Sequence, residues 1–278
     1  MLEREKVRIY WEIANSSIYV YGNFLIIAYN LGLNNNGHYM DTIYQPALDD
    51  TQKPMTLIWL HGLGVDGSDF EEFQQELSQF GEIQNLNIVL PTAPTRTISV
   101  MKMSMPGWYD LFNDTFQCKP GEVIEEDIEG MNASMAIVQS IIDDERKKNP
   151  DTPIWLGGFS QGAAIALLTG YSQTIPLQGI IALSGYVPNH PRFDELSDLA
   201  RQTPTFIAHG TLDTVISIAK ARDGVSHLNA KGATIEFYEY PMMHELCPDE
   251  IHDIGDFIMT HAPKTAEEVS VTEESDSL

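Results

Sequence analysis

The sequence predicts an α/β fold: a mostly parallel sheet with helices on both faces, in a single domain. Three observations carry this. From Met55 onward, short apolar runs alternate with helical patterns, the arrangement that builds a parallel sheet flanked by helices. The runs are nearly continuous in apolar residues rather than alternating, as expected of strands covered on both faces. The chain has 278 residues, 43% of them hydrophobic, enough to bury a substantial core.

The elements follow in order. Residues 1–39 contain three strand-like runs, "RIYWEI", "SIYVYG" and "FLIIAYNL". They read either as an added antiparallel edge or as an N-terminal extension that the fold does not need, down to a misassigned start. The domain proper is expected over 40–262. Ile18 to Leu33 is broken by Gly22, Asn23 and Asn30, its flank "MLEREK" carries no net positive charge, and no small-residue cleavage site follows. Neither a transmembrane anchor nor a signal peptide is therefore expected.

The first core strand, "MTLIWL", ends in a turn where Gly62, Gly64 and Gly67 spell G-x-G-x-x-G. Ser68 and Glu71 form S-x-x-E, which predicts a capped helix over 68–80 burying Phe70, Phe73 and Leu77. "NIVLP" is the next strand. Pro91 to Pro120 is Met/Pro-rich without a clear period, and a connection of that length is expected to border the site. Strands "PIWLGG", "LQGIIALSG", "TPTFIAHG" and "TIEFYEY" then alternate with helices over about 123–148, 161–171, 217–230 and 248–261. The tail, 263–278, is acidic and lacks aromatics, which predicts disorder.

Forty acidic residues face sixteen basic ones, a formal charge of -24 that repels phosphate backbones and anionic headgroups. Nucleic acid is excluded as a partner on that ground. Cys118 and Cys247 are the two cysteines, which fits free thiols in a reducing compartment and a cytoplasmic protein.

The strongest chemical signal is G-x-S-x-G at Gly158, Ser160 and Gly162, set between a strand-like and a helix-like run. In α/β hydrolases that context exposes the serine hydroxyl on a tight turn; the plainer reading is a tight turn in any parallel sheet. A serine nucleophile needs a base and a group orienting the base, in the chain order Ser, Asp or Glu, His. Of the downstream histidines, His227, His252 and His261 fall in helical patterns, whereas His244 lies in a loop directly after a strand. Asp213 follows "TPTFIAHG" in the same way, and Asp194, Asp198 and Asp223 do not; an Asx turn is the alternative for Asp213. "HELCP" begins like H-E-x-x-H, but Pro248 stands at the fifth position, so no metal is assigned.

A dinucleotide site would want an acidic residue at the tip of the second strand, and "NIVLPTAP" has none. Acyl transfer instead needs two backbone N–H groups aimed at a developing oxyanion. Gln161, next to the nucleophile, and Leu63, in the HGLG turn, are the expected donors.

"LHGLG", "PTAPTR", "MPGWYDL", "GFSQGAAIAL", "LSGYVP", "HGTLDTVI" and "HELCPDEI" together resemble the phospholipase/carboxylesterase family of α/β hydrolases. That family includes bacterial carboxylesterases and the acyl-protein thioesterases also called lysophospholipases. The resemblance spans about Met40 to His261. It implies the triad Ser160, Asp213 and His244, the oxyanion donors Leu63 and Gln161, and Trp108 near the acyl pocket, where a core anchor for the long loop is the other role open to it. It implies hydrolysis of carboxylic esters or thioesters, with a small ester, a lipid or an acylated protein as substrate and no cofactor. Residues 1–39 and the tail depart from the family pattern and leave oligomeric state, a homodimer included, open.

Overall fold

The computed structural model describes the backbone at 16–21 and 24–29 and all atoms over 41–112, 125–188 and 191–263. Strand β1 (Ser16–Tyr21) pairs antiparallel with β2 (Phe24–Tyr29), and β2 with β3 (Thr42–Gln45). These strands form the antiparallel edge that was one of two readings of the N-terminal segment. β4 (Met55–Leu60) and β5 (Leu86–Pro91) are parallel to each other, and β3 docks antiparallel on β5. A separate hairpin follows, β6 (Thr95–Ile98) with β7 (Met103–Pro106). The main sheet then continues in parallel through β8 (Ile154–Phe159), β9 (Gly179–Leu183), β10 (Thr205–Gly210) and β11 (Ile235–Tyr240). Its order is β1-β2-β3-β5-β4-β8-β9-β10-β11, so β8 stands centrally between β4 and β9.

Parallel neighbours need crossovers, and helices supply them. α1 (Phe73–Phe80) joins β4 to β5, α2 (Ile128–Lys148) precedes β8, and α3 (Gln161–Gly170) follows it. A short α4 (Asp198–Gln202) precedes β10, α5 (Ile218–Ala230) precedes β11, and α6 (Pro248–His261) closes the domain. The nearly continuous apolar strands have their cause in two buried clusters, one on each face. On β4, Ile58 and Leu60 join the cluster under α2, α3 and α5, while Leu57 and Trp59 join the one under α1 and α6. β8 splits likewise, with Leu156 on the first face and Trp155 on the second. α3 is buried along its whole length. Each fully buried Leu or Ile contributes about 1.5–3 kcal/mol, well above the tenths that separate helix propensities, so burial fixes this helix.

Three expectations are corrected. The turn after β4 is capped by Asp66, not by Ser68: Asp66 accepts from the Ser68 N–H and Asp69 reciprocates at the Asp66 N–H, starting a 3-10 turn over Gly67–Phe70. The α-helix proper begins only at Phe73 and has no side-chain cap of its own; the Asp66 cap serves the 3-10 turn that precedes it. The long Met/Pro-rich segment contains the β6–β7 hairpin, which its sequence concealed because neither strand alternates cleanly. "RIYWEI", Cys118, the start expected for a helix at Val123, and 264–278 lie outside the described residues.

Candidate active site

Between the end of β8 and the start of α3 there is a single residue, Ser160, with φ 56 and ψ -116. An L-residue adopts that backbone rarely, at about 1–3 kcal/mol, and only where its surroundings hold it. They do so here: the Ser160 N–H donates to the Leu183 carbonyl on β9 at 2.8 Å, and the Ala164 N–H donates to the Ser160 carbonyl at 3.3 Å. Tight contact with β4 completes the turn, since a Cβ on Gly162 would stand 2.1 Å from the Leu60 carbonyl oxygen. The hydroxyl is thereby held beyond the carboxyl end of the central strand.

His244, in the loop after β11, brings Nε2 to 3.0 Å from Ser160 Oγ. Its Nδ1 is 2.7 Å from Oδ2 of Asp213, in the loop after β10. With Nδ1–H donating to the carboxylate, Nε2 is left as the acceptor for the serine proton. The Phe159 ring packs on the imidazole with centroids 4.8 Å apart. Asp213 Oδ1 accepts from the N–H groups of Val215 at 2.7 Å and Ile216 at 2.9 Å. The Asx turn and the contact with His244 thus coexist, one on each oxygen. Burial by itself would raise the Asp213 pKa, but hydrogen bonds from His209, His244 and the Ile216 N–H outweigh it and hold the carboxyl well below the ordinary range.

The other histidines sit elsewhere. His227 meets the Phe193 carbonyl, His261 pairs with Glu236 at 2.9 Å, and His252 lies exposed on α6 beside Asp253 and Asp256.

Leu63, in the turn after β4, and Gln161, the first residue of α3, flank Ser160. Among the described residues, neither of their backbone N–H groups has an acceptor. The HGLG turn is held from below by His61. The Ala93 N–H can only donate, so at 2.8 Å it fixes His61 Nε2 as acceptor and leaves the proton on Nδ1, which donates to the Gly62 carbonyl at 2.6 Å. Two of the three turn glycines answer to this geometry: Gly64 has φ +83, and a Cβ on Gly67 would stand 2.6 Å from the Leu90 carbonyl oxygen. Gly67 therefore packs the turn onto β5 rather than merely leading into a cap.

Trp108 is fully buried and does not line the cavity described next. Its N–H donates to Gln161 Oε1 at 2.7 Å, its indole N–H donates to the His61 carbonyl at 2.9 Å, and its carbonyl accepts from Ser134 Oγ. It is the anchor of the long loop and ties both N–H-bearing segments together.

A cavity of about 820 Å³ opens onto Ser160 and His244, within the range of small-ligand sites. Leu63, Val65, Phe70, Phe159, Val215 and Leu246 supply its apolar wall. Asp69, Glu71, Glu72, Glu76 and Glu245 also border it, and among its lining residues there is no lysine or arginine. Burial, and then the neighbouring Glu72 charge, raise the pKa of Glu76. Sequence reasoning did not find His209, Phe159 or these acids. A signal existed for His209, four residues before Asp213 in "HGTLD"; none existed for the acids, which come from the turn before α1, from α1 and from the loop after β11 and meet only in the fold.

A family model described as Phospholipase/Carboxylesterase matches residues 44–262. The acyl-protein thioesterase 1 of Neurospora crassa is 33% identical over 218 residues, covering 76% of this chain and 89% of that protein. A Dictyostelium discoideum acyl-protein thioesterase 1 homolog is 33% identical over 219 residues, covering 77% and 93%. Among solved structures, Arabidopsis thaliana SOBER1 superposes with a TM-score of 0.68 at 26% identity, covering 76% of this chain and 100% of that one.

Proposed function

The chain belongs to the phospholipase/carboxylesterase family of α/β hydrolases, and from that premise we propose that it is a serine hydrolase that cleaves carboxylic esters through an acyl-enzyme. Ser160 Oγ attacks the ester carbonyl while His244 Nε2 takes its proton. The tetrahedral oxyanion is held by the N–H groups of Leu63 and Gln161. Collapse expels the alcohol, protonated by His244, and leaves Ser160 acylated. Water, deprotonated by the same imidazole, then releases the acid and restores the serine. Asp213 keeps the Nδ1 tautomer and stabilises the imidazolium. The observation carrying this reading is the hydrogen-bonded line Ser160–His244–Asp213, at 3.0 and 2.7 Å, in the wall of an open cavity. The free N–H groups of Leu63 and Gln161 support the oxyanion assignment.

A thioester reading uses the same machinery, and the relatives named acyl-protein thioesterase 1 favour it. The cavity wall separates the substrates within it. Five acids and no lysine or arginine border the cavity onto which the serine opens, so a leaving group bearing phosphates is repelled, whereas a neutral or cationic one is not. An S-acylated protein or a neutral lipid ester fits better than acyl-CoA. The same reading puts the enzyme in the cytoplasm, supported by the two cysteines in 278 residues.

The test sets p-nitrophenyl esters of increasing chain length beside acyl-CoA thioesters and an S-acylated peptide. At low ionic strength kcat/KM for acyl-CoA should trail the peptide thioester of equal chain length by roughly tenfold or more, and added salt should narrow the gap. Preference for acyl-CoA at low salt would overturn the charge argument.

A further inference from the structure

His209, the penultimate residue of β10, is used by no step above, yet its side chain is 1% exposed and lies directly behind the Asp213 carboxylate. Its Nε2 is 2.8 Å from the Ile216 carbonyl and 3.3 Å from Asp213 Oδ2. Both partners are acceptors, so Nε2 must carry its hydrogen and shares it between them. Ile216 closes the ring, because its own N–H donates to Asp213 Oδ1 at 2.9 Å.

An ionised carboxylate offers about four acceptor positions. At Asp213 all four are occupied: Val215 and Ile216 on Oδ1, His244 and His209 on Oδ2. The two backbone donors travel with the loop that bears Asp213. His244 is the group to be oriented. His209 alone belongs to a strand of the central sheet, and so it is the one fixed point behind the carboxylate. Packing alone would be served by an apolar residue, since burying an imidazole costs free energy unless its nitrogens are bonded. Nδ1 has no partner among the described residues, which leaves Nε2 as the polar contact that His209 makes there.

We propose that His209 is a positioning residue, whose Nε2–H, shared between the Ile216 carbonyl and Asp213 Oδ2, fixes the carboxylate that orients His244. The inference rests on the triad reading above. Its consequence is electrostatic as well as geometric. Without this donor the Asp213 carboxylate is less stabilised and more basic, and it binds the Nδ1–H of His244 more strongly.

Two amides of similar polarity isolate the effect. The side-chain nitrogen of glutamine reaches about where Nε2 of histidine stands; that of asparagine stops about where Nδ1 stands. His209→Asn should lower kcat/KM for a p-nitrophenyl ester roughly ten- to a hundredfold, the scale seen for partners behind metal-bound histidines. The loss should fall in kcat with KM little changed, and the acid-side inflection of kcat/KM should move to higher pH. His209→Gln should recover most of the rate and return the inflection. Equal losses in both variants with an unmoved inflection would overturn the proposal, as would an Asn variant with the wild-type profile. Should neither variant fold, histidine-labelled wild-type protein gives the answer by two-bond nitrogen–proton spectra. The proposal requires hydrogen on Nε2 of His209, and a tautomer protonated on Nδ1 alone would refute it. Ser160→Ala is run in parallel: activity surviving there strikes the triad, whereas a dead Ser160→Ala beside an unaffected His209→Asn strikes only His209.

Discussion

At the scale of single residues, the site depends on positions where one added carbon is too many. Gly162 is the sharpest, because the Cβ of alanine there would meet the Leu60 carbonyl oxygen at 2.1 Å and the His61 carbonyl oxygen at 2.6 Å. Both are backbone atoms, so no side chain can swing aside, and β4 must separate from α3. Gly162→Ala should cost about 3 kcal/mol, at the upper end of overpacking penalties. For a domain of this size that lowers Tm by roughly 6–12 °C, read by thermal melting. An unshifted melting curve would mean that the turn is far softer than its contacts imply. The G-x-S-x-G spacing made this requirement legible in the sequence, because only a backbone that crowds its neighbours asks for glycine on both sides. His209 was not legible in that way. A buried histidine in an apolar strand looks the same whether it packs or bonds, and what distinguishes the cases is the loop folding back over it.

At the scale of elements, the turn after β4 and the loop after β10 each depend on a titrating group. His61 is held neutral: burial lowers its pKa, and this outweighs the Gly62 carbonyl and the charges of Asp66 and Asp69, which act to raise it. Unfolded histidine titrates near ~6.5, so below that pH the unfolded chain takes up a proton that the fold refuses. The stability from neutral His61 is therefore complete above about pH 6.5 and is lost as pH falls toward its lower folded value, by at most about 1.4 kcal/mol per pH unit. Asp213, whose folded pKa is also depressed, contributes stability that is present above the ordinary carboxylate range near ~3.9 and is lost as pH falls further. Acid should thus weaken the protein in two stages, the first at the HGLG turn. Urea unfolding at pH 7.5 and 5.5 should show the first stage, and His61→Gln, whose amide oxygen can take the Ala93 N–H, should reduce it. An undiminished pH dependence in that variant would exclude His61 as its source.

Elements were legible in proportion to their burial. Strands β4, β5, β8, β9 and β10 are covered on both faces, and their continuous apolar runs predicted them. The β6–β7 hairpin is half exposed and paired only with itself, so its sequence carried no comparable pattern. The cap at Asp66 was missed because Ser68 and Glu71 fit the same spacing rule two residues later, and the choice between them depends on how Gly67 packs against Leu90.

At the scale of the whole molecule, topology does the gathering. β8 is central; the Leu63 turn follows its neighbour β4 on one side, Asp213 follows β10 on the other, and His244 returns from β11 at the sheet edge. Four loops from the carboxyl ends of parallel strands meet over one serine, as crevices at the ends of such sheets commonly do. Chain order and loop position sufficed to choose Asp213 and His244 because a parallel sheet puts every such loop on the same edge. The role of Trp108 could not be chosen that way, since its hydrogen bonds turn it inward over the HGLG turn, while Met101 of the same segment lines the cavity. The charge of -24 pointed away from phosphate-rich partners, and five acids border the cavity as well.

Attack by Ser160 on the ester is tested most directly by one paired measurement: fluorophosphonate labelling mapped by mass spectrometry, with ester turnover followed in Ser160→Ala. The wild-type protein should be labelled on Ser160, and the variant should be unlabelled, folded, and slower by roughly four to six orders of magnitude. Label on another residue, or a Ser160→Ala enzyme turning over ester near the wild-type rate, would contradict the account.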